Sequence, residues 1–329
     1  MRKIRILGDG GWGTTLAIHL AKKGFSVTLW GPFPENISRM KRLRRNPKFL
    51  PGFKIPSTVM LTSEMAQAMA FGQLVVLAVP SQYVTGVLDK IKSLPYKNKT
   101  FLSVIKGIEP QTLKRISQII VEKLGKVQLA VLSGPTIAAE VAREIPTTAV
   151  IAAGSRKLAL KLQSIFHSPT FRIYTNSDVI GTELGGSVKN IIALACGVCD
   201  GLGLGTNAKA ALVTRGLAEM ARLGVAMGAR KETFSGLTGL GDLVTTCFNP
   251  QSRNRSVGEE LGKGRSIKNI LGSMDMVAEG VITTQAVYRL SRKLGVSMPI
   301  TGEMFKILYQ GKKSKNALGD LMTRSVKSE

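Results

Sequence analysis

Lys189 stands in an otherwise apolar run, Thr182–Cys199 (TELGGSVKNIIALACGVC), whose only other charge is Glu183. The pattern predicts a helix. Burying an unpaired ammonium is costly, so a lysine in such a place has a partner, a wet cavity or a lowered pKa. A lysine whose pKa falls toward neutrality can pass protons, which its ordinary value of about 10.4 makes inefficient. The plainer alternative is a snorkelling lysine whose stem packs while its head reaches water. Taken alone, the residue favours the plainer alternative; the rest of the chain reverses that.

The second chemical motif lies at the start. Ile4–Leu7 reads as a strand, Gly8-Asp9-Gly10-Gly11-Trp12-Gly13 as a turn, Thr14–Lys23 as a helix and Phe25–Trp30 as a second strand. GxGxxG between strand and helix is a dinucleotide-binding arrangement. Gly8 permits the tight turn, Gly10 lets backbone approach a pyrophosphate, and Gly13 lets the helix pack on the sheet. The phosphates would sit at the helix N-terminus, where free N–H groups and the dipole favour anions. An NAD-preferring unit carries an acid about 20 residues further on, against the ribose hydroxyls. Here that position is followed by Gly31-Pro32-Phe33-Pro34, with no acid until Glu35 and then the basic run Arg39, Lys41, Arg42, Arg44, Arg45, Lys48. The missing acid and nearby cations suit a 2′-phosphate, so the sequence leans to NADPH over NADH. Most of those cations fit a solvated helix face equally well.

Composition sets the bounds. At 329 residues, with 44% hydrophobic residues and a mean hydropathy of +0.12, the chain can bury a large core and divide into two domains. No unbroken apolar run reaches the ~20 residues of a membrane helix. The N-terminus enters the first strand directly, leaving no room for a signal peptide, and the three cysteines form no disulfide framework. A cytoplasmic protein without membrane insertion is expected. Cys196-Gly-Val-Cys199 spells CxxC, but the two histidines, His19 and His167, are remote in sequence, so buried thiols and no metal are predicted. The net charge of +25 favours polyanions. Yet basic residues are spread along the chain and aromatics are only 5%, without a nucleic-acid-binding module. Attraction of phosphorylated small molecules accounts for the charge more simply, and specific nucleic-acid binding is not expected.

Up to about residue 178 strand and helix patterns alternate. Further strands are predicted at Gln73–Val79, Thr100–Ile105, Val127–Leu132, Thr147–Ala152 and Phe171–Tyr174, with helices around Gln82–Lys92, Pro110–Lys123, Thr136–Glu144 and Arg156–Phe166. This alternation implies an α/β domain, a Rossmann-type, doubly wound, mostly parallel sheet over residues 1–178. Residues 179–329 read as an all-helical substrate domain, with the active site expected in the cleft between the two. Lys106 and Gly134-Pro135-Thr136 follow predicted strands, where ligands of open sheets bind. In the helical part, Gly236–Asp242 (GLTGLGD) precedes Ser252-Arg253-Asn254-Arg255. Asp242 could cap a helix, and Arg253 could be a surface charge. Functionally, Arg253 with Ser252 and Asn254 would make a planar, donor-rich phosphate clamp.

Taken together, these segments resemble the bacterial-type NAD(P)-dependent glycerol-3-phosphate dehydrogenases nearly end to end. The matching stretches include GDGGWGTTLA, RRNPKFLPG, SGPTIAAEVA, GTELGGSVKNIIALACG, DGLGLGTNAKAALVTRGLAEM, GLTGLGDLVTTC, SRNRSVG and AEG. The GGSVKN segment combined with GLGDLVTTC and SRNR is the specific part. The resemblance implies reversible reduction of dihydroxyacetone phosphate to sn-glycerol 3-phosphate for phospholipid synthesis, by a homodimer that needs no metal. It implies Lys189 as proton donor and acceptor, with Lys106 and Asp242 in the catalytic set. Lys106, Gly134, Thr136, Lys189, Asp242, Ser252, Arg253 and Asn254 would meet the substrate. The cofactor would lie along Gly8, Gly10, Gly11, Trp12, Gly13, Lys106, Ala138, Arg253, Val277 and Glu279. The chain departs from the family pattern in lacking a basic residue just after the second strand and in having Gly11 where alanine or serine is usual. Two rivals remain: a related two-domain dehydrogenase for another small anionic 2-hydroxy or 2-keto compound, and a non-catalytic basic protein that binds NADPH or nucleic acid.

Overall fold

The computed structural model describes residues 2–274 and 278–326. The chain forms two compact units, residues 1–105 with 115–179, and residues 106–114 with 180–329.

The first unit is built on a sheet. Its chain order is β1 (Lys3–Leu7), α1 (Gly11–Lys22), β2 (Ser26–Trp30), α2 (Pro34–Leu43), β3 (Arg45–Asn46), β4 (Leu50–Lys54), β5 (Val59–Thr62), α3 (Met65–Ala70), β6 (Leu74–Leu77) and α4 (Val84–Lys92). It continues with β7 (Thr100–Ser103), α5 (Ile116–Leu124), β8 (Gln128–Ser133), α6 (Ala138–Ala142), β9 (Thr147–Ala153), α7 (Arg156–Phe166) and β10 (Phe171–Asn176). Eight strands pair in the order β10-β9-β8-β7-β6-β1-β2-β5, all parallel except the β8–β9 pair. The chain runs outward from β1 through β2 to β5, then returns to β6 on the other side of β1. The ends of β1 and β6 therefore form the switch point at which open sheets bind ligands. Alternation along β1 divides the core: Ile4 and Ile6 join the cluster containing Leu16 and Phe166, whereas Leu7 joins the one containing Leu88 and Ile120.

Local chemistry explains the departures from the sequence pattern. The expected helix Pro110–Lys123 begins only at Ile116. Upstream, Glu109 folds back on Gln111 and Thr112 through its carboxylate, and Leu113 takes a left-handed conformation at φ 61°. Residues 106–114 serve the helical unit, with Ile108 fully buried in its core. A boundary at 178 thus misses this excursion. The helix expected at Thr136–Glu144 shortens to Ala138–Ala142, and the short strands β3, β4 and β5 carry too little alternation to be read.

The second unit is helical: α8 (Val179–Gly201), α9 (Thr206–Ala226), α10 (Lys231–Ser235), α11 (Asp242–Phe248), α12 (Arg253–Gly262), α13 (Ile267–Gly272), α14 (Glu279–Lys293), α15 (Pro299–Gln310) and α16 (Ser314–Met322). Helix α8 is the axis, with every residue from Gly181 to Cys199 buried. Its length and apolarity would allow it to span a membrane, but here it is wrapped by its own unit. Close approach to α12 uses residues without side chains. A Cβ on Gly258 would fall 1.9 Å from the Leu194 carbonyl oxygen, and one on Gly197 would fall 1.9 Å from that of Arg255. The helix carrying Lys189 is thus tightly packed against the helix that begins with Arg253. Cys196 meets Cys247 of α11, and the contact with that thiol, together with burial, pushes the Cys196 pKa up.

Candidate active site

In the helical unit, three of the expected residues converge. Asp242 opens α11 after a π-helical turn, Leu237–Gly241, and is 1% exposed. It does not cap the helix with its side chain. Instead its Oδ1 accepts a hydrogen bond from Lys189 Nζ, and its Oδ2 accepts one from Lys106 Nζ at 2.7 Å. Lys189 Nζ also donates to Thr246 Oγ1 at 2.7 Å, and that hydroxyl donates to the Asp242 carbonyl at 2.7 Å. Thr246 was not anticipated, although its position four residues after Asp242 places both on one helix face.

These contacts decide between the two readings of Lys189. At 5% exposure the ammonium does not snorkel. Burial lowers its pKa most, Asp242 raises it, and Lys106 lowers it further, leaving it at about 7. A buried amine with its pKa there changes protonation state near neutral pH.

Ser252, Arg253 and Asn254 form the start of α12. Ser252 Oγ accepts the Arg255 N–H, so this hydroxyl caps the helix. Arg253 is exposed, whereas Asn254 is buried and its Oδ1 accepts the Gly280 N–H at 2.9 Å. Gly280 lies against both Asn254 and the backbone of Asn190, the residue after Lys189. Glu279, which opens α14, precedes it. Arg255 is committed elsewhere: its Nε meets Asp200 at 2.6 Å, and Lys209 joins the same carboxylate at 2.8 Å.

In the sheet unit, Gly8 has a φ of 124°, and a Cβ there would strike the Ala78 carbonyl oxygen at 2.5 Å. At Gly13 a Cβ would lie 1.9 Å from the Gly8 carbonyl oxygen, while Gly10 faces open space. Ala138 lies beside this turn: its carbonyl accepts from Thr15 Oγ1 at 3.0 Å, and its Cβ is 3.9 Å from where a Cβ of Gly11 would be. That same Cβ would fall 2.6 Å from the Phe49 carbonyl oxygen, so the departure at Gly11 accompanies close approach of the β3–β4 segment. Asn46 ties that segment to the loop by donating to the Asp9 carbonyl at 2.7 Å and to Thr14 Oγ1 at 2.8 Å; no sequence signal singled it out.

The residues fit a dinucleotide. Gly10 bares the N-terminus of the twelve-residue α1, and Trp12 Nε1 is a buried donor with no hydrogen-bond partner among the described residues. Gly134 and Thr136 stand between β8 and α6 in this unit, where Thr136 Oγ1 donates to the Gly134 carbonyl at 3.1 Å. Val277 lies outside the described residues.

A nucleotide-type glycine turn on a doubly wound sheet, joined in one chain to a helical unit with a buried lysine of lowered pKa, is the architecture of a nicotinamide-dependent dehydrogenase. Comparison with known proteins sharpens this. Residues 3–159 match the model of the NAD-dependent glycerol-3-phosphate dehydrogenase N-terminus, and residues 178–319 match that of its C-terminus. The chain belongs to this family. It is 51% identical to the glycerol-3-phosphate dehydrogenase [NAD(P)+] of Citrifermentans bemidjiense over 99% of this chain and 98% of that one. It is 48% identical to that of Chlorobium limicola over 99% of both. The crystal structure of the glycerol-3-phosphate dehydrogenase from Coxiella burnetii superposes with a TM-score of 0.95 at 38% identity, over 98% of each chain.

Proposed function

We propose that the chain catalyses the reversible NAD(P)H-dependent reduction of dihydroxyacetone phosphate to sn-glycerol 3-phosphate. The observation that carries this reading is the Lys106–Asp242–Lys189–Thr246 cluster, with Lys189 and Asp242 buried at its centre. When bound, the nicotinamide supplies or accepts the hydride. Lys189 as an ammonium would give its proton to the oxygen on C2 as negative charge develops there, and would recover it in the reverse direction. Asp242 and Thr246 aim the ammonium. Lys106 adds positive charge beside the developing alkoxide and keeps the Lys189 proton labile.

Arg253, at the exposed start of α12, would bind the substrate phosphate together with that helix N-terminus. Ser252 and Asn254 would contribute while holding the turn and α14 in place. Gly134 and Thr136 are retained as substrate contacts. Gly8, Gly10, Gly11, Trp12, Gly13, Lys106, Ala138, Arg253, Val277 and Glu279 are retained as cofactor contacts on the strength of the family likeness. The same likeness supports a cytoplasmic homodimer feeding phospholipid synthesis.

The test is oxidation of NADH and, separately, NADPH at 340 nm with dihydroxyacetone phosphate, with and without Lys189→Ala. Turnover by wild type, lost in the variant while cofactor binding persists, is the expected result. No turnover with either cofactor in folded protein would remove the reading, and a panel of unphosphorylated and other 2-keto compounds would then test the related-dehydrogenase rival.

A further inference from the structure

The residue after β2 is where a dinucleotide-binding sheet ordinarily presents the acid that accepts from the adenosine ribose. In this chain the position is Gly31, but it is not without a carboxylate. A Cβ built on Gly31 would lie 2.4 Å from Asp9 Cγ and 2.5 and 2.8 Å from its two carboxylate oxygens. The side chain of Asp9, from inside the glycine turn, fills the place that a residue-31 side chain would begin to occupy. The exchange is mutual: only glycine at 31 leaves room for it.

Asp9 is held there. Asn36 Nδ2 donates to its Oδ2 at 2.6 Å, and its backbone carbonyl accepts from Asn46 Nδ2 at 2.7 Å and Thr14 Oγ1 at 3.2 Å. Burial raises its pKa, while Asn36, its own backbone and the charge of Lys48 oppose the rise. Among the cations that make the sequence lean to NADPH, Lys48 is near enough for its charge to act on the Asp9 carboxylate. Arg44, the member of the run that turns back, spends its guanidinium on the carbonyls of Ile55, Pro56 and Val59. Arg39, Lys41, Arg42 and Arg45 are exposed, and Lys48 is exposed over the Phe49 ring.

We infer that Asp9 is the specificity-determining acid of the dinucleotide site and that it makes the chain prefer NADH over NADPH, reversing the lean of the sequence. A ribose 2′-hydroxyl donates to a carboxylate at this place, whereas a 2′-phosphate meets like charge there. The inference rests on the proposed dinucleotide binding and adds which dinucleotide that site selects.

The experiment is direct binding to the whole chain, by calorimetry, of NADH and NADPH, and of ADP against adenosine 2′,5′-bisphosphate, which needs no variant. Wild type should bind the unphosphorylated member of each pair at least about tenfold more tightly. Asp9→Asn, which keeps the shape and removes the charge, should narrow the NADH:NADPH ratio by at least about fivefold, chiefly by tightening NADPH. Tighter binding of NADPH by wild type overturns the inference, and so does a ratio that Asp9→Asn leaves unmoved. In either case turnover with dihydroxyacetone phosphate still supports the proposed function. Failure of both dinucleotides to bind folded wild type overturns the two together.

Discussion

The glycine turn of the sheet unit is shaped mainly by missing side chains that let backbone segments approach closely. Around Lys189 in the helical unit, charged side chains are gathered largely out of water. Gly13 has no room for even a methyl group, 1.9 Å from a carbonyl oxygen, whereas Lys189 holds a titratable amine at 5% exposure beside Asp242 and Lys106. The fold of the first site is set by volume and that of the second by charge, so the first should be fragile to added volume and the second to lost charge.

The largest effect should come from removing charge at nearly constant volume. Lys189→Met is expected to cut turnover by about 10²- to 10⁴-fold, the range for loss of a positioned acid–base group. Affinity for the dinucleotide, measured separately, should stay within about twofold, because the glycine turn belongs to the other unit. Turnover within tenfold of wild type would break the contrast. Next in size is Gly13→Ala, which adds volume and no charge. Its methyl group must push α1 away from the Gly8 carbonyl, costing about 1–3 kcal/mol of stability and at least tenfold in dinucleotide affinity. A thermal melt and a fluorescence titration would show both losses, and an unaltered titration would count against the volume argument.

The contrast also explains what could be read from the sequence. The glycine turn is contiguous and flanked by its own strand and helix, so Gly8, Gly10 and Gly13 could be given roles from order alone. The lysine cluster is assembled from Lys106, Lys189, Asp242 and Thr246, which only the fold brings together. Lys189 was legible because a charge in an apolar helix is anomalous, whereas Thr246 resembles any helical threonine. Lys106 was legible as a residue after a strand, but not as the start of a segment given to the helical unit, because nothing in Gly107–Lys114 marks an excursion. Asp9 was read only as a turn residue. Its meaning depends on the space above Gly31, a through-space relation between positions 22 apart in sequence.

The charge-defined site should answer to pH. With Lys189 near 7, ketone reduction needs the ammonium, so its kcat/KM should be level below that value and fall about tenfold per unit above it. The reverse oxidation needs the free amine and should rise toward 7 and then level off. Stability follows the same proton. The folded-state pKa lies below the ordinary 10.5, so the cost of the buried ammonium is full below 7 and is relieved as pH climbs from 7 toward 10.5. Profiles measured in both directions that fail to mirror each other near neutrality would count against Lys189 as the shared acid and base.

The smallest effect concerns a buried cation in the other unit. Arg5 lies on central strand β1, is fully buried, and donates through Nη1 to the Met69 carbonyl at 2.6 Å. Its Nε and Nη2 have no hydrogen-bond partner among the described residues, and burial pushes its pKa down to about 10, with Lys99 near enough to feel the like charge. Lys189 has Asp242 to justify its burial, and Arg5 has no such anion among the described residues. A desolvated charge without an anion opposes folding, and a side chain of similar length without charge should pack at least as well. Arg5→Met is therefore expected to leave turnover unchanged and stabilise the sheet unit by about 1 kcal/mol, read as a raised denaturant midpoint at constant slope. A lowered midpoint would mean that the contacts of Nη1 with the Met69 carbonyl and Sδ outweigh the desolvation of the whole guanidinium. Buried charge in this protein would then be structural in one unit and chemical in the other, rather than costly in both and used only beside Asp242.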